Sequence, residues 1–258
     1  MKQRLSNLYN LLFELSNEDR LNILRELKKT PMKLSRISEM FDFTVPETAR
    51  NVSRLTKANL IAKDSAGHFH LTTFGEGVLF LLPSFEFLSK NKKYFKTHAI
   101  SNLPPQFSAD IGALKDSNFV SEIATTLFNA EKMVREAREY VWIFVDQILA
   151  STLPIIIEAI ERGVEVRKLM PRNAKIPPEI LALANDPFFT KAARAGKLES
   201  RYLERMDVAI FLSEKEVSAI CFPNQEEIFD YLSFRSSSES SRRWTKDLFL
   251  YYWSRSKP

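Results

Sequence analysis

Glu47, Arg50, Asn51, Arg54 and Lys57 are the residues whose types and spacing point most directly to chemistry in this 258-residue chain. On a helix starting at Val45, a step of about 100° per residue puts them on one side. Val45, Ala49 and Val52 fall on the other, flanked by Leu55. An arginine can pair with a guanine edge, an asparagine with an adenine edge, and a lysine suits a phosphate. An ordinary solvated helix face has the same pattern, so the surrounding elements must decide.

Those elements read as helices followed by a hairpin. Leu5, Leu8, Leu11, Leu12 and Leu15 recur at three- and four-residue spacing and give one apolar face. Ser16 is the expected cap of a second helix carrying Leu21, Ile23, Leu24 and Leu27. Beyond Pro31 a third helix, 33–40, is expected to turn Leu34, Ile37 and Met40 inward. Thr44-Val45-Pro46-Glu47 is a capping box with proline in the first turn. As a member of that box, Glu47 can instead fold back onto its own helix. Two β-type runs, 60–63 and 68–71, flank a loop of Asp64 to Gly67. Three helices and a hairpin make a winged helix-turn-helix, placed at 1–75. The residues expected to meet DNA are Ser35, Thr44, Glu47, Thr48, Arg50, Asn51, Arg54 and Lys57, with Lys63, His68 and His70 on the hairpin.

Composition narrows the classes. Residues 1–97 hold 16 basic and 10 acidic side chains, leaving 21 and 22 for the remainder. A basic N-terminal third suits a phosphate backbone, and it equally suits a solvated surface. The single cysteine, Cys221, excludes a disulfide framework or cysteine-rich zinc site within one chain. No signal peptide is expected, nor any membrane span, since no run of about 18 apolar residues occurs. The six glycines, Gly67, Gly75, Gly77, Gly112, Gly163 and Gly196, give no phosphate-cradling loop.

The stretches from Leu15 to Leu24, Leu34 to Ser38, Val45 to Leu55, Leu60 to Lys63 and Leu71 to Gly75 together resemble the ArsR-type winged helix. The similarity is strongest to archaeal regulators of the methanogenesis-regulator type. It continues through Phe87-Leu88-Ser89, Tyr94-Phe95, His98 and Leu103-Pro104. The resemblance implies a helix over 76–88 leading into an effector domain, with Leu79, Leu82 and Phe85 available for dimer contact or coupling. ArsR-type metal sensors use Cys and His clusters on these helices. No cysteine precedes Cys221, so neither metal nor cofactor is expected. Residues 76–107 are read as linker, dimerisation helix and junction.

From 108 to 258 helical and β-branched runs alternate. Strands are expected at 140–145, 164–170, 198–203, 207–212 and 217–222, and helices at 119–139, 153–162, 178–184, 187–195 and 241–255. Strand–helix–strand order implies a partly parallel sheet. The overall class is α+β with two domains. Residues 130–137, 140–145, 153–159 and 162–167 resemble the effector domains of TrmB-like regulators, which implies a phospholipase-D-like sheet domain. Phospholipase D chemistry needs a histidine nucleophile and a histidine acid. The three histidines are His68, His70 and His98, so no catalysis of that kind is expected.

Ligands of such sheets sit at strand carboxyl ends, which makes Asp146, Arg167, Arg172 and Asp207 the candidate effector contacts. Each also suits a surface ion pair or helix cap. Trp142 and Phe144 are expected in the core. Trp244, Leu248, Tyr251 and Tyr252 are expected to pack on the sheet, with a dimer contact as the alternative. The sequence therefore points to a cytoplasmic, homodimeric regulator that binds double-stranded operator DNA and answers to a small-molecule or protein effector. A winged-helix protein–protein module and a phospholipase-D-related hydrolase are the alternatives.

Overall fold

The computed structural model describes residues 2–148 and 150–258, with the side chains of 7–148, 150–183 and 186–258. Leu5 lies outside the described side chains. The chain divides into two compact units, Met1–Pro83 and Ser84–Pro258, each with its own apolar core.

The first unit contains α1 (Lys2–Leu15), α2 (Glu18–Lys29), α3 (Leu34–Phe41), α4 (Val45–Lys57), β1 (Ile61–Lys63) and β2 (Phe69–Leu71), and α5 (Thr73–Lys90) begins in it. Asn17, not Ser16, caps α2. Its backbone is extended and its side chain accepts from the Arg20 N–H at 3.0 Å, while Ser16 donates to the Phe13 carbonyl. Glu18 and Asp19 occupy the first turn of α2, at the positive end of its dipole. Ile23, Leu24, Ile37, Leu55 and Leu60 are fully buried. Each contributes roughly 1.5–3 kcal/mol through the apolar surface it removes from water. Met40, expected inward, is instead 40% exposed. Strands β1 and β2 pair antiparallel, Ile61 with Leu71 and Lys63 with Phe69. Met32 adds a further rung through two hydrogen bonds with Phe69, at 3.0 and 2.7 Å.

The second unit adds α6 (Pro105–Ala109), β3 (Asn118–Val120), α7 (Ile123–Glu136), β4 (Tyr140–Phe144), α8 (Leu153–Glu161), β5 (Glu165–Pro171), α9 (Pro178–Leu181), α10 (Pro187–Arg194), β6 (Leu198–Leu203), β7 (Ala209–Ser213), β8 (Val217–Cys221), β9 (Ser233–Ser236) and α11 (Glu239–Trp253). Its seven strands run in the order β3-β9-β8-β7-β4-β5-β6. The β4-β5-β6 part is parallel, joined by helical crossovers, and the rest is antiparallel. The sheet is thus mixed, as its alternating pattern suggested. The helix expected over 119–139 is shorter, because Phe119 pairs with Phe234 in the edge strand β3 before α7 begins. Trp142 and Phe144 are in the core, and Trp244, Leu248 and Tyr252 of α11 are buried with them.

The junction expected over 76–107 is not a linker. Phe87, Tyr94 and Leu103 are buried in the second unit's core. The Phe222 N–H donates to the Tyr94 hydroxyl, which donates on to the Phe222 carbonyl. Leu79 belongs to the first unit's core and Leu82 packs against it, which removes both from any free dimer face. The exposed large apolar residues of α5 are Phe74, Phe80, Leu81 and Phe85. Charge is also redistributed by this boundary. Residues 1–83 hold 12 basic and 9 acidic side chains, and Lys90, Lys92, Lys93 and Lys96 belong to the second unit.

Candidate nucleic-acid interface

Helix α3, a three-residue turn and α4 form a helix-turn-helix, with the β1–β2 hairpin following as a wing. The turn needs one left-handed residue. Asp42 supplies it at φ 55°, a conformation that a short polar side chain tolerates. Ser38 secures the turn, donating its hydroxyl to the Phe43 carbonyl at 2.6 Å. Thr44 caps α4 by accepting from the Glu47 N–H at 3.4 Å.

The face that α4 presents differs from the sequence reading. Thr48, Asn51, Val52 and Leu55 are buried. Val45, Ala49, Arg50, Ser53, Thr56 and Lys57 are exposed. The inward face is therefore turned by roughly 60° from the expected one, at about 100° per residue. The physical reason is local satisfaction. Thr48 donates its hydroxyl to the Thr44 carbonyl at 3.0 Å, so it enters the core without an orphaned donor. Val45, in the first turn, stays 62% exposed. Thr48 and Asn51 are thus removed from the set that can meet a base edge.

Arg54 is held within its own domain. Its guanidinium donates to both oxygens of Glu14, at 3.0 and 2.6 Å, and lies 5.0 Å from the centre of the Phe13 ring. Arg20 approaches the same carboxylate at 2.9 Å. The Arg54 hydrogen bonds, aided by the charges of Arg20 and Arg54, hold the Glu14 carboxyl below the usual glutamate range despite burial. Arg54 therefore ties α4 to α1 and is not a free base reader.

Arg50, Ser53 and Lys57 remain, spaced three and four residues apart and aligned along the exposed side of α4. Among the described residues neither Arg50 nor Lys57 makes an ion pair. Ala49 and Ser53 are small, which lets a partner approach the helix closely. Sequence reasoning missed both, because it assigned Ala49 to the core and gave Ser53 no role. Glu47 is partly covered and Thr44 is exposed. On α3, Ser35 is exposed, and Arg36 is exposed but faces Glu39 at 3.5 Å.

On the wing, Lys63 is exposed, with its ammonium 5.5 Å from the Phe69 ring centre. His68 lies 3.6 Å from Asp64. Asp64 also accepts from the His68 backbone N–H, the main cause of its lowered carboxyl pKa. Gly67, at φ 88°, closes this loop. Asp64 thus places a negative charge at the wing tip that the sequence reading left out. The ring of His70 turns back to the Leu71 carbonyl.

The four candidate effector contacts do not form one site. Asp146 accepts from the Tyr231 hydroxyl. Arg167 pairs with Glu165 at 2.8 Å and stacks between Trp142 and Trp253. Arg172 pairs with Glu204, and Asp207 with Arg205 and the Tyr252 hydroxyl. Only Arg172 and Asp207 come together, on the rim of a cavity of about 490 Å³. His98 is buried with both ring nitrogens engaged, one with Asp230 at 3.0 Å and the other with the Tyr94 carbonyl and the Thr97 hydroxyl. No helix among the described residues is long and apolar enough to cross a membrane.

No family model matches the chain, and no curated protein matches it. Among solved structures it is similar to TrmBL2, described as an archaeal chromatin protein with a novel mode of DNA binding. That likeness spans 88% of each chain at 16% identity, with a TM-score of 0.43. A polyphosphate kinase from Porphyromonas gingivalis matches 50% of this chain and 20% of its own at 15% identity, with a TM-score of 0.31. An O-methyltransferase family protein from Burkholderia thailandensis matches 79% and 63% at 13% identity, with a TM-score of 0.29. Likenesses this weak, to proteins this different, do not discriminate among functions.

Proposed function

We propose that the chain is a DNA-binding regulator of the ArsR-type winged-helix kind, whose α4 enters the major groove. The observation that carries this reading is the unpaired stripe of Arg50, Ser53 and Lys57 on the exposed side of α4, beside a wing carrying Lys63. A recognition helix needs that arrangement, with one face held in the core and the other polar and unengaged. Arg50 is the base reader in this proposal. Lys57 and Lys63 contact phosphates, with Ser35 and Thr44 at the groove edge.

A second copy of the chain is the proposed partner on DNA, because a single module of this size buries little surface. The exposed apolar residues Leu8, Tyr9, Leu12 and Phe13 on α1 support that reading. The second unit is proposed as a non-catalytic, phospholipase-D-like sensing domain, and the protein as cytoplasmic.

Fluorescence anisotropy of the full chain on duplex DNA tests the reading. Binding through six or more phosphates weakens about 10³-fold or more between 50 and 200 mM salt. A flat salt response would assign the helix-turn-helix to a protein partner instead. A Leu12→Glu variant that sediments as a monomer beside a dimeric parent would place the second copy on α1.

A further inference from the structure

Lys168 is the one charged side chain on its face of β5. The strand alternates, so Val166, Lys168 and Met170 point to one side of the sheet and Arg167 and Leu169 to the other. In register, Lys168 sits between Ile143 of β4 and Ser200 of β6, in the centre of the parallel part. Among the described residues its side chain makes no hydrogen bond or ion pair. Burial alone pushes its ammonium pKa down, and no carboxylate offsets that.

Lys168 lines two adjoining cavities. The smaller, about 140 Å³, has mostly apolar walls, with Leu127 and Val134 from α7, Ile155 and Ile156 from α8 and Phe211 from β7, and Glu131 of α7 also lines it. The larger, about 490 Å³, shares Leu153, Ile180, Phe189 and Lys168 with it and adds Arg194 and Tyr202. An apolar cavity of ~150 Å³ accommodates a molecule such as benzene, about six carbons. An unpaired lysine in an apolar wall costs stability and returns nothing to the fold. It gives a return when an anion with an apolar body occupies the space beside it.

We propose that these cavities are the binding site of an apolar carboxylic acid, with its tail in the smaller cavity and its carboxylate on the Lys168 Nζ. The site deepens the sensing role proposed for the second unit and does not depend on the DNA reading. It also replaces Asp146, Arg167, Arg172 and Asp207 as the effector contacts.

Isothermal titration of the full chain with octanoate, in parallel with 1-octanol, tests it without DNA present. Octanoate is expected to bind one to one, at least about tenfold tighter than the alcohol, since one ion-paired hydrogen bond is worth roughly that factor or more. Lys168→Met removes a half-buried, unpaired charge and is expected to fold with a urea midpoint at or above that of the parent. In that variant octanoate should weaken at least about tenfold while octanol holds or improves. Leu127→Trp, which fills the smaller cavity, should weaken both.

Equal affinities for acid and alcohol, no octanoate binding, or octanoate affinity unchanged in Lys168→Met would overturn the proposal. Unchanged affinity in Leu127→Trp would overturn the placement of the tail. Octanoate binding in a chain that fails to bind DNA would support the site and remove the regulator reading. DNA binding without octanoate binding would do the reverse.

Discussion

Helix α4 and strand β5 both turn a polar group inward, Thr48 fully buried and Lys168 half-buried, and they hold it on opposite terms. Thr48 of α4 enters the first unit's core with its hydroxyl already committed to the Thr44 carbonyl. Lys168 of β5 faces the interior of the second unit with nothing committed to it. A satisfied polar group is part of the packing and leaves no trace on function. An unsatisfied one is a standing cost, and it marks where a ligand would be felt. The same rule sorts the two arginines of α4. Arg54 is spent on Glu14, and Arg50 is unspent.

The largest expected effect tests whether α4 is held in the orientation that creates this contrast. Gly75, near the start of α5, lies against the Leu60 backbone just beyond α4. A Cβ built on Gly75 would stand 2.1 Å from the Leu60 carbonyl oxygen. Backbone cannot yield as a side chain can, so Gly75→Ala should cost about 3 kcal/mol. Gly77, two residues on, has open space around its Cβ position. Gly77→Ala should instead gain about 0.5–1 kcal/mol from helix propensity. Urea denaturation of both variants checks the pair. Equal effects would mean that the α5 start is not seated on Leu60.

The next effect separates the two arginines. Arg50→Ala should weaken DNA binding by about 1–3 kcal/mol and relax base preference, with the urea midpoint unchanged. Arg54→Ala should lower the urea midpoint, because it leaves Glu14 with only Arg20. Loss of base preference in Arg54→Ala without loss of stability would break the comparison, since it would make Arg54 the reader.

Acid titration sharpens the same contrast with a smaller effect. The folded Glu14 carboxyl is held below its ordinary value, chiefly by the Arg54 hydrogen bonds. Its contribution is then full above the ordinary glutamate range and is lost as pH falls through the depressed value. Glu14→Gln should therefore lower the urea midpoint near neutral pH. The deficit should shrink on acidification and vanish once Glu14 itself is protonated. A deficit that stays constant with pH would assign the loss to packing and not to charge.

The first unit's helices, the Thr44 cap of α4 and the hairpin were legible because each has a local signature, whereas the α2 cap was read one residue early, at Ser16 instead of Asn17. Leu21, Ile23, Leu24 and Leu27 mark α2, Thr44 and Glu47 mark the start of α4, and Gly67 marks the wing loop. The orientation of α4 was not legible. Its apolar residues are few, and Val45 and Ala49 count as core by type although neither is needed there. Thr48 and Asn51 count as polar although one of them carries its own acceptor nearby. Strands β3 and β9 were missed because three or four residues give no readable alternation. Lys168 was passed over because a charge in a strand reads as surface. The strand's other face, Arg167 against Trp142 and Trp253, looks equally charged in sequence.

The smallest expected effect falls on Thr48 itself. If its burial is neutral because its hydroxyl is satisfied within the helix, replacing both shape and bond should matter unequally. Thr48→Val keeps the branched shape and removes only the donor. The Thr44 carbonyl still accepts from the Thr48 N–H at 3.0 Å, so no buried acceptor is orphaned. The cost should stay within about 1 kcal/mol, with DNA affinity unchanged. Thr48→Ala also removes a methyl group and leaves a void, so it should cost roughly 1 kcal/mol more. A Thr48→Val variant that lost DNA affinity at full stability would put the hydroxyl on the recognition face after all. It would also return the inward face of α4 toward the phase its sequence first suggested.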